Sequence, residues 1–263
     1  MIVFAGIVPH SPILIPSIGK DHQERYARTL QAYAEMEQAL YIARPDTIVI
    51  LSPHAHMYPD AFSGNASPTY TGVLKEFGDH GTTITAKSDF LLLDHLHRAL
   101  RHEDVPFTLT SEEELDYGYT VPLLLLTQHL QRWKFVPLAP SLLDARMHYE
   151  FGRQLNHVIH GEQTRIAVIA SADLSHHANA LSPASETNEG KAFDAAIRTH
   201  ALARDIPSLL AMPADLLEKA GQCGYKPIVT LLGCLENLRC TPKEVCYEAP
   251  VGVGALTMRF DLA

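Results

Sequence analysis

Apolar positions in this chain fall in short unbroken runs, separated by longer stretches of helical periodicity. Residues 2–8 (IVFAGIV), 47–52 (TIVILS) and 165–172 (RIAVIASA) carry apolar side chains at successive rather than alternate positions. They read as strands buried on both faces. Tyr26, Leu30, Tyr33, Met36 and Leu40 recur at helical spacing within 21–43. Residues 53–68, rich in Pro, Gly, Ser and Asn, read as a loop. Extended segments near 69–77 and 81–87 flank Gly78 and Gly81 as a hairpin. A helix is expected after Ser88 as N-cap, followed by a short strand PFTLT.

TVPLLLLTQHLQ reads as helical, with Pro122 tolerable only in its first turn. KFVPLA reads as a strand, and a helix is expected over 144–160. Two or three helices are expected between 185 and 238, then KEVCYEA and VGVGALTMRF as strands pairing antiparallel across Pro250. The alternation predicts an α/β fold, a single domain over 1–263 with a mixed, mostly parallel sheet flanked by helices on both faces.

Composition narrows the function classes. Hydrophobic residues make up 46% and charged residues 19%, the balance of a globular chain. A net charge of −9 argues against nucleic acid or an anionic membrane face as a partner. The opening MIVFAGIVPHSPILIP lacks a basic start and is broken by prolines, so neither a signal peptide nor a membrane span is expected, and a cytoplasmic location is. Four cysteines without a CxxC pair read as free or buried thiols. The chain has no G-x-S-x-G elbow, Walker loop or G-x-G-x-x-G after a strand, which removes support for serine hydrolase, nucleotide-dependent and Rossmann dehydrogenase chemistry.

Fifteen histidines point instead to metal or proton chemistry. His10 (IVPHSP), His54 (LSPHAH), and the pair His176 and His177 (SADLSHH) each fall just past the carboxyl end of an apolar strand. In open α/β sheets the loops leaving such ends converge on one crevice. Pro9 and Pro53 end their strands and fix how the next side chain leaves. Position alone leaves two readings: a shared metal site, or histidines solvated and hydrogen-bonded in loops. His56 reads as a supporting or surface residue. The remaining histidines, His148 among them, lie on predicted helices or polar loops and read as surface.

Five segments in order, VPHSPILIP, SPHAH, DYGYTVPLL, SADLSH and AGQCGYKPIVTLL, resemble the class III extradiol ring-cleavage dioxygenase superfamily over nearly the whole chain. That superfamily includes catalytic subunits that open protocatechuate and related catechols. It also includes the Memo proteins, which share the fold without an established ring-cleaving role. The resemblance implies His10 and His54 as metal ligands and His176 as the acid–base residue. The motif that supplies the third ligand, a glutamate, matches GQCG, where Cys223 stands, as in Memo-type members. Tyr117 occupies the place of a substrate-side histidine in DYG. Asp173 is expected either to orient His176 or to cap the following turn.

The implied activity is cleavage of a catechol or related ortho-substituted phenol by O2, with a divalent metal, Fe(II) for a dioxygenase, bound by two histidines and an acid. A thiolate at 223 is softer than a carboxylate and moves the preference toward zinc or copper. Glu218 and Glu236 are poorly placed to substitute. The alternative is a Memo-like protein that binds a metal or a partner without ring cleavage. Relatives are often dimeric or larger, which implies a homo-oligomer.

Overall fold

A computed structural model describes residues 1–182 and 185–263. The chain begins with β1 (Ile2–Val8), a 3-10 turn at Pro12–Leu14 and the short helix α1 (Pro16–Gly19). A 3-10 segment (Lys20–Tyr26) then opens into α2 (Ala27–Ala43), so the first turns of the expected helix are wound more tightly than α. Strands β2 (Thr47–Leu51), β3 (Phe62–Asn65), β4 (Thr69–Leu74) and β5 (Asp79–Ser88) follow, then helix α3 (Phe90–His102). Next come β6 (Phe107–Thr110), β7 (Glu114–Leu115), α4 (Tyr117–Leu126), β8 (Lys134–Ala139), α5 (Ala145–Gly161) and β9 (Ile166–Ser171). The chain ends with α6 (Asn188–Ala203), α7 (Ile206–Leu210), α8 (Ala214–Lys219), α9 (Tyr225–Cys234), β10 (Cys240–Glu248) and β11 (Ala255–Leu262).

Among the described residues these strands form one eleven-stranded sheet whose main path runs β10-β11-β1-β9-β2-β8-β5-β4-β7, with β3 beside β8 and β6 beside β3. Its centre, β1, β9, β2 and β8, is parallel throughout. The antiparallel pairs lie further out: β10 with β11, β11 with β1, β4 with β5, and β3 with β8. This is the mixed, mostly parallel α/β architecture the alternation implied.

The central strands alternate their side chains between two cores, which explains their unbroken apolar runs. Ala5, Ile7, Val49, Leu51, Val168 and Ala170 face the layer that holds α3, α5, α6 and α9. Phe4, Val8, Ile48, Ile50, Ala167 and Ile169 face α2 and α4 on the other side. Helices therefore cover both faces, and the strands have no water-facing side on which a polar residue would be favoured.

Several local expectations need correction. β3 lies inside the segment read as a loop, because its sequence FSGN has the composition of a turn while its pairing comes from β6 and β8. Ser88 ends β5, and Asp89 takes the N-cap position of α3, its carboxylate bonded to Thr47 and Lys134 rather than to the helix. The region 185–238 holds four helices instead of two or three. Pro122 sits inside α4 beyond its first turn, since the helix begins at Tyr117. His148 is fully buried, with its ring edge-on to Phe62 and Nδ1 donating to the Asp144 carbonyl at 2.7 Å.

Candidate metal centre

Strand β9 lies between β1 and β2, and all three run the same way, so their carboxyl ends open on one edge. His10 follows β1, His54 follows β2, and Asp173 and His176 follow β9. With strands spaced about 4.8 Å apart, His10 and His54 leave backbones roughly 10 Å apart and lean toward each other over β9. Their Nε2 atoms come within 2.9 Å. The turn before α9 brings in Cys223, whose Sγ lies 3.4 Å from His10 Nε2. One donor atom from each of His10, His54 and Cys223 lies within 4.8 Å of the others.

Two glycines make this approach sterically possible. A Cβ at Gly224 would stand 2.7 Å from the Asp173 carbonyl oxygen and 2.8 Å from Ala172 Cβ, so only glycine lets the Cys223 turn close on the end of β9. A Cβ at Gly118 would stand 2.3 Å from Ser52 Oγ and 3.2 Å from the His54 ring.

The electrostatics favour neutral imidazoles. Burial lowers His10 to about 3, with the nearby His176 adding to the effect. Burial also lowers His54 to about 4, with His10 as the next cause. Neither ring is charged at neutral pH, so each keeps one lone pair for a cation. The Cys223 thiol is pushed well above its ordinary value by burial and then by the charge of Asp173. Binding a metal through this sulfur must therefore release a proton. Burial likewise raises Asp173.

The other expected site residues take distinct positions. Asp173 Oδ1 accepts the backbone N–H of His10 at 2.9 Å, and Oδ2 lies 3.6 Å from His10 Nε2, so its carboxylate serves His10 more directly than the His176 ring or the next turn. Tyr117 packs tilted against His54 with ring centroids 4.3 Å apart and planes at 30°, and its hydroxyl lies 2.9 Å from His54 Nε2. His176 Nε2 is buried without a hydrogen-bond partner among the described residues. His177 points elsewhere, its Nδ1 donating to the Ser185 carbonyl at 2.8 Å. His56 packs edge-on against Tyr58 and lines, with His54, a cavity of about 120 Å³.

Three polar residues absent from the sequence reading support these groups. Ser171 Oγ lies 2.8 Å from His10 Nδ1. Ser52 Oγ accepts the His54 backbone N–H at 3.3 Å and donates to Asp116 at 3.0 Å. Asp116 also caps α4 by accepting from Gly118 N–H at 2.7 Å, and burial raises its pKa to about 6. Ser52 and Ser171 look like ordinary small residues at strand ends, and only the DYG motif that begins at Asp116 hinted at that turn.

The donor set fits a divalent metal. Two nitrogens bound at ~2.1 Å and at right angles around one ion stand ~3.0 Å apart, close to the spacing of the two imidazoles. Their facing lone pairs repel unless a proton or a cation lies between them. The sulfur makes the set softer than two histidines and a carboxylate. An unsatisfied buried nitrogen such as His176 Nε2 costs about 1–3 kcal/mol, which a ligand hydroxyl placed there would offset.

Known proteins share this chain's features over different spans. Protein CA_C1420 of Clostridium acetobutylicum is 23% identical over 264 residues, covering 97% of this chain and 56% of its own length. This chain thus spans about half of that relative. The 2,3-dihydroxyphenylpropionate/2,3-dihydroxicinnamic acid 1,2-dioxygenase of Photorhabdus laumondii is 34% identical over 68 residues, 24% of this chain and 22% of that enzyme. The crystal structure of uncharacterized protein JW3007 from Escherichia coli K12 has the same fold, with a TM-score of 0.64 at 16% identity, covering 98% of this chain and 99% of that one. The family described as the catalytic LigB subunit of aromatic ring-opening dioxygenase matches residues 5–257, and this chain belongs to it, within the class III extradiol dioxygenase superfamily.

Proposed function

We propose that residues 1–263 act as one domain that opens the ring of a catechol or a related ortho-substituted phenol with O2, using a divalent metal held by His10, His54 and Cys223. The observation that carries this reading is the convergence of three donors from separate parts of the chain, with the buried His176 Nε2 close enough to act on both imidazoles and without a hydrogen-bond partner among the described residues. When bound, the metal supplies activation of the phenol and a path for electrons between substrate and O2, which otherwise react slowly because their spins do not match.

The chain's own groups then have defined tasks. His176 Nε2 accepts a hydroxyl proton from the entering phenol and returns it to the product, work suited to an imidazole. Tyr117 is raised well above its ordinary value by burial, so it stays protonated and donates a hydrogen bond instead of shuttling protons. Asp173 holds the backbone of His10. Four free thiols suit a reducing compartment, and we place the protein in the cytoplasm.

Loading with Fe(II) under anaerobic conditions, followed by oxygen and a panel of catechols, is expected to give a yellow ring-fission product. No product from protein shown to hold iron overturns the reading. Cys223 supports a second reading, a Memo-like protein that binds metal or a partner without opening rings, because a sulfur stands where the resemblance to the superfamily implies a glutamate. Zinc or copper bound through sulfur in protein purified without added metal supports the second reading. Iron bound by the two imidazoles and the sulfur supports the first.

A further inference from the structure

His10 can offer its Nε2 lone pair to a metal only if its proton sits on Nδ1. Asp173 works against that arrangement, since a carboxylate oxygen 3.6 Å from Nε2 attracts the proton to the same nitrogen that must stay bare. On the opposite edge of the ring, Nδ1 meets Ser171 Oγ at 2.8 Å. A serine hydroxyl has one proton, and Ser171 gives it to the Gly118 carbonyl at 2.5 Å. A carbonyl has no proton to return, so Ser171 faces His10 as an acceptor only.

Pro122 explains why the Gly118 carbonyl is free. Inside a helix that carbonyl would accept the N–H four residues on, and at that position in α4 stands proline, which has none. The proline that was expected to fit only a first turn therefore leaves an open acceptor facing β9, and Ser171 takes it. Ser171 and His10 are both buried, so water does not compete for either bond.

We infer that Ser171 is a positioning residue that locks His10 in its Nδ1-protonated tautomer through the carbonyl that Pro122 leaves free in α4. The inference rests on the metal reading of the site, and its effect is on metal affinity. The lock also ties His10 to the turn that carries Tyr117, so the first ligand and the substrate-side residue share one support. A serine serves here where metal-site histidines commonly rely on a carboxylate or a backbone carbonyl.

Nitrogen-15 spectra of the histidines in metal-free protein, together with Zn(II) titration, test the lock. Wild-type His10 is expected to carry its proton on Nδ1. Ser171→Ala is expected to move it to Nε2 and to weaken Zn(II) binding about 10- to 100-fold. Thr257→Val, which removes a buried hydroxyl without a partner among the described residues, is expected to change neither. Wild-type protonation at Nε2 overturns the inference and needs no variant to fold. So does a Ser171→Ala protein that keeps the Nδ1 proton and wild-type affinity. A shifted tautomer in protein that binds no Zn(II) in either form supports the lock and overturns the metal reading instead.

Discussion

A sulfur in place of a carboxylate changes what two imidazoles can hold, because donor softness and the cost of deprotonation both change. Burial keeps the Cys223 proton in place, so only a cation with strong affinity for sulfur displaces it readily. Cys223→Glu restores two histidines and a carboxylate and is expected to raise the Fe(II) to Zn(II) ratio retained from an equimolar mixture. An unchanged ratio means that residue 223 is not a ligand. His176→Gln separates binding from proton transfer: metal content is expected to stay within about twofold while turnover falls roughly 10²- to 10⁴-fold. Equal loss of both places His176 among the ligands. His10, His54 and Cys223 were legible because each stands beside a strand end or in a motif of the family. Ser171 was not, since its role depends on a ring delivered from β1 and a carbonyl delivered from α4.

Among the elements, α4 shows how close packing sets the site. Its first turn passes so near Ser52 and His54 that a methyl group at Gly118 has no room, with Asp116 Oδ1 a further contact at 2.9 Å. Gly118→Ala is expected to destabilise the fold by about 1–3 kcal/mol, the usual range for overpacking, and to lower metal affinity by displacing His54. Urea unfolding and Zn(II) titration read the two effects separately, and a loss of stability without loss of affinity shows that α4 does not position the ligand. The long apolar strands and amphipathic helices were legible because their periods were intact. β3 and β7 were not, because a Gly- and Ser-containing strand and a two-residue strand carry too little pattern to stand apart from loops.

Across the whole molecule, the strand order is what no local pattern disclosed: β9 inserts between β1 and β2 from more than a hundred residues away. The loop after β9 then depends on a distant anchor. Asp194 on α6 accepts from Ser175 N–H at 2.8 Å and from the Tyr247 hydroxyl at 2.6 Å, joining that loop to β10. Burial raises its pKa from 3.8 to about 6 against the pull of those two donors. A carboxyl with a higher pKa folded than unfolded stabilises the fold below its unfolded value and loses that contribution as pH rises through 6. At pH 8 the loss amounts to about 3 kcal/mol. Buried His148, lowered to about 4 mainly by burial, acts in the opposite sense, its contribution present above 6.5 and lost as pH falls through 4. Comparing wild type with Asp194→Asn cancels the histidine effect, because both proteins share it. Asparagine keeps an acceptor for Ser175 and cannot ionise. Relative to wild type, the variant is expected to gain about 2.4 kcal/mol between pH 4 and pH 8 in urea unfolding, nearly all of it below pH 6.5. A difference that stays flat across that range shows that Asp194 ionises in the folded protein as freely as in water.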